Sequence, residues 1–475
     1  MGKKANNHVK FIITFTRMLY SLLRKIFRYA VSKYFKEIRL LNPELVPTNV
    51  PVIFFPNHRS AFMDPIVVAT QIKRPVHFLA RGESFTNPVL SFIFRHLHMI
   101  PIYRKKFSPG ETHKNEDVFE HCFKLLESGG SLMIFPEGLS QTKPRLLPFK
   151  TGTARIAFGA EMLNDFNLNI HLVPVGINYS NPHRFQSDLL LDFGPPIKVS
   201  EYKQSYLDNP VEAVNQLTTD MEKALKDRII TIDGKRWFEL SERVELIVKT
   251  EPEAFVKGAE SGAFDWYLAK KDINAAIDYF KNYKPELLNH LEEKTDQYYQ
   301  MLKRLNLSKQ AVKLRKGFYN LENHFPSLVI FLIFFSPIFL IGFVLLGPPF
   351  FLTRMLAGVI VKRTDFMGSV ILALGLLVFT AFGVAESVLL GKISGSWVSG
   401  AGLFIILPVL GLFTHRYFVH LLHFARNRRW ITIDARKEKL AVYVMEEKRV
   451  LLGLFKEAYR EYLAGKNEAV KNSGA

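Results

Sequence analysis

The sequence predicts an α/β domain, with a mixed, mostly parallel sheet flanked by helices, followed by a helical subdomain and C-terminal transmembrane helices. Three observations predict it. Short β-rich runs alternate with helical patterns through the middle of the chain. A densely charged helical stretch follows. Three long segments without a single charge then come close together near the C-terminus. Alternating strands and helices need crossover connections, and those favour parallel pairing.

Composition sets the limits. The chain has 475 residues, enough for more than one domain and a large core. Lys plus Arg number 63 against 44 Asp plus Glu, a net charge of +19, while 48% of residues are apolar. Mean hydropathy is +0.05. Charge and apolarity coexist because they occupy different places. These values exclude a disordered chain, a collagen-like fibre and a disulfide scaffold. Cys122 is the single cysteine, so there is no intramolecular disulfide and no cysteine-based zinc site. A basic excess fits nucleic acid or anionic lipid equally well. The apolar segments favour lipid, and no zinc or RNA-binding sheet pattern accompanies the charge, so nucleic acid is not an expected partner.

Residues 1–42 form the first element. Residues 1–40 carry ten Lys/Arg and one acid. Phe11, Phe15, Met18, Leu19, Leu22, Ile26 and Phe27 recur at helical spacing, with Arg17, Arg24 and Arg28 largely on other faces. This is a basic amphipathic helix suited to an anionic bilayer, with packing on its own domain as the bland alternative.

Residues 43–200 are the α/β domain. Strands are expected at Pro51–Phe55, Val76–Arg81, Ile100–Arg104, Ser131–Phe135, Ile170–Tyr179 and Leu189–Phe193. Helical patterns lie near 65–72, 86–97, 112–128 and 150–164. Residues 201–322 read as a charged helical subdomain, with runs such as Glu292–Arg304.

Residues 323–425 are the membrane region. No charge occurs in the 31 residues between Glu322 and Arg354, the 20 between Asp365 and Glu386, or the 23 between Lys392 and Arg416. A spanning helix needs about 20 residues. Pro337 and Gly347-Pro348-Pro349 interrupt the first run, which reads as a kinked span or a re-entrant hairpin, the latter preferred, while the second and third form a hairpin. The basic stretch Arg354–Arg363 and the later Arg416, Arg426, Arg428 and Arg429 then share the cytoplasmic face with the α/β domain. Residues 426–475 are expected to be a basic tail.

Four segments at expected strand ends hold the chemistry. Pro56-Asn57-His58-Arg59-Ser60-Ala61-Phe62-Met63-Asp64-Pro65 pairs an imidazole with a carboxylate, the minimal device for general-base catalysis. A spacing of six does not share a helix face, so the two meet only across a turn. The bland alternative makes Asp64 a helix cap before Pro65. His98-Met99-Ile100-Pro101-Ile102-Tyr103-Arg104-Lys105-Lys106 ends a strand in three cations, a fork for phosphate or a solvated strand end. Phe135-Pro136-Glu137-Gly138-Leu139-Ser140 places a carboxylate at a turn where glycine allows close approach. Lys143, Arg145, Lys150 and Arg155 follow, and Lys150-Thr151-Gly152 opens a helix. Val173-Pro174-Val175-Gly176 holds no titratable group and is expected to shape a channel.

In this order the four segments resemble the motif blocks of the glycerolipid acyltransferase superfamily, over roughly residues 50–180. The resemblance implies transfer of a fatty acyl group from a thioester to a glycerol hydroxyl, with glycerol-3-phosphate or 1-acylglycerol-3-phosphate as acceptor. It implies His58 as the base and Asp64 as the group that orients it. Arg104, Glu137 and Gly138 match acceptor-binding positions, and Lys150 and Arg155 are added here as phosphate contacts. Five residues separate His58 from Asp64 where the family has four, a departure shared by chains with a long C-terminal extension. The donor is an acyl-CoA or acyl carrier protein thioester. The partners are these substrates and membrane lipids. Neither a cofactor nor a metal is implied. A non-catalytic lipid-binding or scaffold protein that kept the fold is the alternative, supported by the longer gap.

Overall fold

The computed structural model describes residues 2–103, 115–142, 145–232, 234–249, 266–307, 329–436 and 438–473. Strand β2 (Val52–Pro56) is buried along its whole length and shows how the sheet is layered. Side chains alternate across a strand. Val52 and Phe54 enter one core with Val67 and Val68 of helix α2 (Met63–Gln71) and with Met133 and Val173. Ile53 and Phe55 enter the opposite core. Helices α4 (Asn115–Glu127), α5 (Gly152–Met162) and α7 (Pro210–Lys226) supply that second core with Leu126, Phe158 and Leu217.

The other strands are β1 (Phe35–Leu41), β3 (His77–Arg81), β4 (Met99–Ile102), β5 (Ser131–Met133), β6 (His171–Tyr179), β7 (Ser187–Phe193) and β8 (Ile197–Lys198). Their order is β1-β7-β6-β2-β5-β3-β4, with β8 beside β6. Strand β2 runs parallel to β5 and β6, β3 to β4 and β5, and β1 to β7. Strand β6 is antiparallel to β7 and β8. The sheet is mixed and mostly parallel, as the alternation of elements predicts. Strand β1 was hidden inside the expected basic helix. It lies at the end of the sheet order, and edge strands carry charges such as Lys36, Glu37 and Arg39 that blur period-two patterning.

Helix α1 (Gly2–Tyr34) precedes it. Its C-terminal half packs on the α/β domain, with Tyr20, Val31 and Tyr34 buried. Arg24 Nε donates to the Ala69 carbonyl at 3.1 Å, and Tyr20 stacks on His98 with centroids 4.1 Å apart. Met18 and Leu22 remain exposed.

The chain divides into two compact units, residues 1–229 with 353–377, and residues 230–352 with 378–475. The α/β unit thus extends past the expected boundary at 200. The cause is the apolar stripe of α7, whose Ala213, Leu217, Met221 and Leu225 are buried in the sheet's core.

In the second unit, helices α8 (Lys235–Val248), α9 (Trp266–Tyr283) and α10 (Pro285–Arg304) share a core with α14 (Glu438–Ser473). The expected tail 426–475 is therefore corrected: Val444, Leu452 and Phe455 of α14 are buried against residues such as Leu240, Phe280 and Leu302. Charge dominated the reading of that segment, but its apolar residues recur at helical spacing and needed a partner.

Among the described residues, three helices are long and apolar enough to cross a membrane, at Ser336–Ile360, Thr364–Ser394 and Trp397–Leu422. They belong to α11 (Ser336–Ile360), α12 (Met367–Ser394) and α13 (Trp397–Arg436). A turn at Phe335 separates helical residues 329–334 from α11, so an interruption falls beside Pro337 as expected, but Pro348 and Pro349 do not break α11. Pro337 sits in its first turn, where no helical N–H is lost, and Pro348 and Pro349 lie within one continuous helix. Helices α12 and α13 approach through glycine: a Cβ on Gly400 would lie 2.4 Å from the Ser387 carbonyl oxygen.

Candidate active site

Adjacent parallel strands deliver their C-terminal ends side by side. Strand β2 leads into Asn57-His58, and its neighbour β5 leads towards Phe135-Pro136-Glu137. Asn57 fixes the exit from β2. Its amide accepts from Ile177 N–H at 2.7 Å and donates to Ile177 C=O at 3.1 Å, which extends the pairing with β6 by one residue.

Residues 58–64 then form a tight turn around the Asp64 carboxylate. Asp64 Oδ2 accepts from Arg59 N–H and Ser60 N–H, both at 2.7 Å, and lies 2.8 Å from His58 Nδ1. Oδ1 accepts the Tyr179 hydroxyl at 2.7 Å. Asp64 is fully buried, while the His58 side chain is 18% exposed. The turn needs an unusual backbone at Ala61, with φ of 30°, and closes through Met63 N–H to Ser60 C=O at 2.7 Å. Five intervening residues therefore still bring the pair together. Asp64 does not act as a helix cap: α2 begins at Met63 after Phe62, without a side-chain cap.

A carboxylate only accepts, so Nδ1 carries the hydrogen and Nε2 keeps its lone pair. The imidazole stacks on Phe135 at 4.1 Å, which restricts its rotation. Burial, aided by the nearby Asp64 charge, holds the Tyr179 phenol well above its ordinary range and keeps it a donor.

Glu137 braces the two loops. Its Oε1 accepts His58 N–H at 2.7 Å and its Oε2 accepts Leu147 N–H at 2.9 Å. The side chain is buried, so both oxygens serve backbone donors. Gly138, expected with it, takes φ of 70° and turns the chain back, with its N–H on Phe135 C=O. Burial pushes the Glu137 carboxyl from 4.5 up to about 7; the N–H groups of Leu147 and His58 oppose this and Asp64 adds to it. The folded protein then keeps a proton that the unfolded chain has released. The stability from this group is complete below pH 4.5 and is lost as pH rises to about 7. In Glu137→Gln the melting temperature is expected to lose that slope between the two values. Parallel melting profiles for variant and wild type would contradict it.

The remaining expected residues are placed differently. Arg104 and Lys143 lie outside the described residues. Lys150 donates its backbone N–H to Pro136 C=O at 2.9 Å, but its side chain is exposed. Arg155 is on the exposed face of α5. The structure thus brings His58, Asp64 and Glu137 together and does not bring the Lys150 or Arg155 side chains onto them. Sequence reasoning missed Tyr179, Phe135 and Asn57 as parts of the site. Tyr179 ends the strand that carries Val173–Gly176, so strand-end position was its available signal.

Comparison with known proteins covers the same stretch of chain. Residues 37–178 match the family model described as Acyltransferase. Glycerol-3-phosphate O-acyltransferase 2 of Saccharomyces cerevisiae is 36% identical over 120 residues, 25% of this chain and 16% of the relative. Glycerol-3-phosphate O-acyltransferase 1 of the same yeast is 23% identical over 302 residues, 45% and 40% of the two chains. A chloroplastic 1-acyl-sn-glycerol-3-phosphate acyltransferase of Brassica napus is 25% identical over 149 residues, 30% and 41%. This chain therefore spans less than half the length of each of these relatives. The turn that joins His58 to Asp64 and the Glu137 brace both fall inside the matched stretch, and residues 37–178 are a domain of the acyltransferase family.

Proposed function

We propose that this protein is a membrane-bound O-acyltransferase that moves a fatty acyl group from an acyl thioester to a hydroxyl of a glycerophosphate acceptor in phospholipid biosynthesis. The observation that carries the reading is the buried Asp64 carboxylate held 2.8 Å from Nδ1 of a partly exposed His58. His58 Nε2 takes the proton of the acceptor hydroxyl as that oxygen attacks the thioester carbonyl. Asp64 stabilises the imidazolium that forms. The carbon–oxygen ester bond forms, the carbon–sulfur bond breaks, and the proton passes to the departing thiolate. A thioester is already activated, so the step needs no covalent enzyme intermediate. The acceptor is glycerol-3-phosphate or 1-acylglycerol-3-phosphate, with Arg104 as its phosphate ligand. The donor is acyl-CoA or acyl carrier protein, both anionic, and the net charge of +19 favours their approach.

A paired assay on detergent-purified protein tests this. Labelled glycerol-3-phosphate and lysophosphatidate are offered separately with each donor. Ester formation with one combination is the expected result. Silence of the wild type across all four overturns the reading.

The catalytic domain faces the cytoplasm in this proposal, on topological grounds. Helix α14 shares a core with α8–α10, and three apolar helices lie between them in the chain. Three single crossings would put the parts of that core on opposite faces, so the number of crossings is even. The connection before α12 is hydrogen-bonded to Ser60 and Ser140 of the α/β unit. No run of spanning length occurs between β8 and α10. These facts support an even number of crossings, with α12 and the first part of α13 as the crossing hairpin. A C-terminal reporter is expected in the cytoplasm, and its appearance on the far face would contradict the topology.

A further inference from the structure

Asp365 is buried, 4% exposed, in the short connection between α11 and α12, 225 residues beyond Ser140 in sequence. Its carboxylate accepts the Ser140 hydroxyl. It is paired in two places with Arg363, Nε at 3.1 Å and Nη2 at 2.8 Å, and Arg363 Nη2 also donates to the Ser140 carbonyl at 3.3 Å. The Asp365 carbonyl accepts the Ser60 hydroxyl at 3.4 Å. Phe366 packs edge-on against Phe62 at 5.8 Å. Next to it, a Cβ on Gly368 would lie 2.4 Å from the Pro182 carbonyl oxygen, so the backbones touch.

Ser60, and the residue that follows Ser140, are each hydrogen-bonded to the catalytic pair. Ser60 N–H donates to Asp64 Oδ2 at 2.7 Å. Gln141, which follows Ser140, donates its N–H to His58 C=O at 3.0 Å. The connection thus ties the first motif to the third from outside the matched domain. Arg363 neutralises the buried charge, which gives the tie strength in a site of low polarity.

We propose that Asp365 is a positioning residue for acyl transfer, fastening the His58–Asp64 turn to the Ser140 loop so that the membrane helices hold the reaction geometry. The proposal rests on the acyltransferase reading for its kinetic consequence and on geometry alone for its structural one. Loss of the tie loosens the turn without touching either substrate. Misplacement of a catalytic group by about 1 Å costs on the order of a hundredfold, so Asp365→Ala is expected to lower kcat about tenfold to a hundredfold with the acceptor KM little changed. Asp365→Asn keeps an acceptor for Ser140 and is expected to restore part of the rate.

The test measures kcat and KM on the folded fraction of wild type, Asp365→Ala, Asp365→Asn, Ser140→Ala and the Asp365→Ala/Ser140→Ala double variant. It also measures the rate at which diethyl pyrocarbonate modifies His58, read by mass spectrometry at fixed pH. The tie predicts that Asp365 and Ser140 act as one unit, so the double variant falls little below Asp365→Ala alone. It also predicts severalfold faster modification of His58, since a looser imidazole frees its nitrogens. A folded Asp365→Ala protein with wild-type modification rate overturns the proposal, as does wild-type kcat where turnover exists. If the wild type transfers no acyl group but the modification rate still rises in the variant, the positioning holds and the acyltransferase reading falls. Should Asp365→Ala not fold, Asp365→Asn and Ser140→Ala give the same two readouts.

Discussion

Replacing His58 by alanine is expected to lower kcat about a hundredfold to ten-thousandfold, the usual loss when a positioned general base is removed. The protein should remain folded. The His58 side chain is partly exposed, and its removal leaves Asp64 with three other donors, the N–H groups of Arg59 and Ser60 and the Tyr179 hydroxyl. Acceptor KM should change little, because the imidazole acts on the proton in flight rather than on the phosphate. Added imidazole should recover part of the rate by entering the space left beside Phe135. Turnover at the wild-type rate in a folded His58→Ala protein would remove the catalytic role and favour a lipid-binding one.

Asp64 carries the second large effect, and here activity and stability separate by substitution. Asp64→Asn keeps the shape and one acceptor but removes the charge that stabilises the imidazolium. A loss of about a hundredfold to ten-thousandfold in kcat is expected, with modest change in melting temperature. Asp64→Ala strands two backbone N–H groups and the Tyr179 hydroxyl in a buried place. Each stranded group costs about 1–3 kcal/mol, so this variant should be strongly destabilised as well as inactive. Thermal melting and single-turnover assays on both variants check the separation. Equal stability of the two would mean that Asp64 does not organise the turn.

The same residue shows what the sequence could and could not reveal. His58 and Asp64 are legible as a pair because imidazole and carboxylate follow a strand. Their contact is not, since a spacing of six decides nothing until Ala61 takes its positive φ and the turn closes. The longer gap invited a disarmed site; the backbone absorbs the extra residue, and the pair meets at 2.8 Å. Glu137 shows the converse. Its motif position reads as a ligand for the acceptor, yet both its oxygens hold backbone N–H groups. Sequence marks the side chain but not the donors that reach it.

Long-range partners were the least legible. The apolar stripe of α14 is visible in the chain, but α8–α10 as the surface that covers it is not. Asp365 reads as a charge that ends an apolar run, and only folding sets it against Ser60 and Ser140.

The sequence by itself determined the α/β class, the four motif segments and the three apolar helices. All three rest on periodicity and composition, which are local properties of the chain. The tertiary structure alone decided that β1 joins the sheet, that α7 belongs to the α/β unit, that α11 runs through Pro348 and Pro349, and that Asp365 closes on the Ser60 and Ser140 loops. Those features depend on which surfaces meet across long stretches of chain, and a meeting of surfaces leaves no period in the sequence to read.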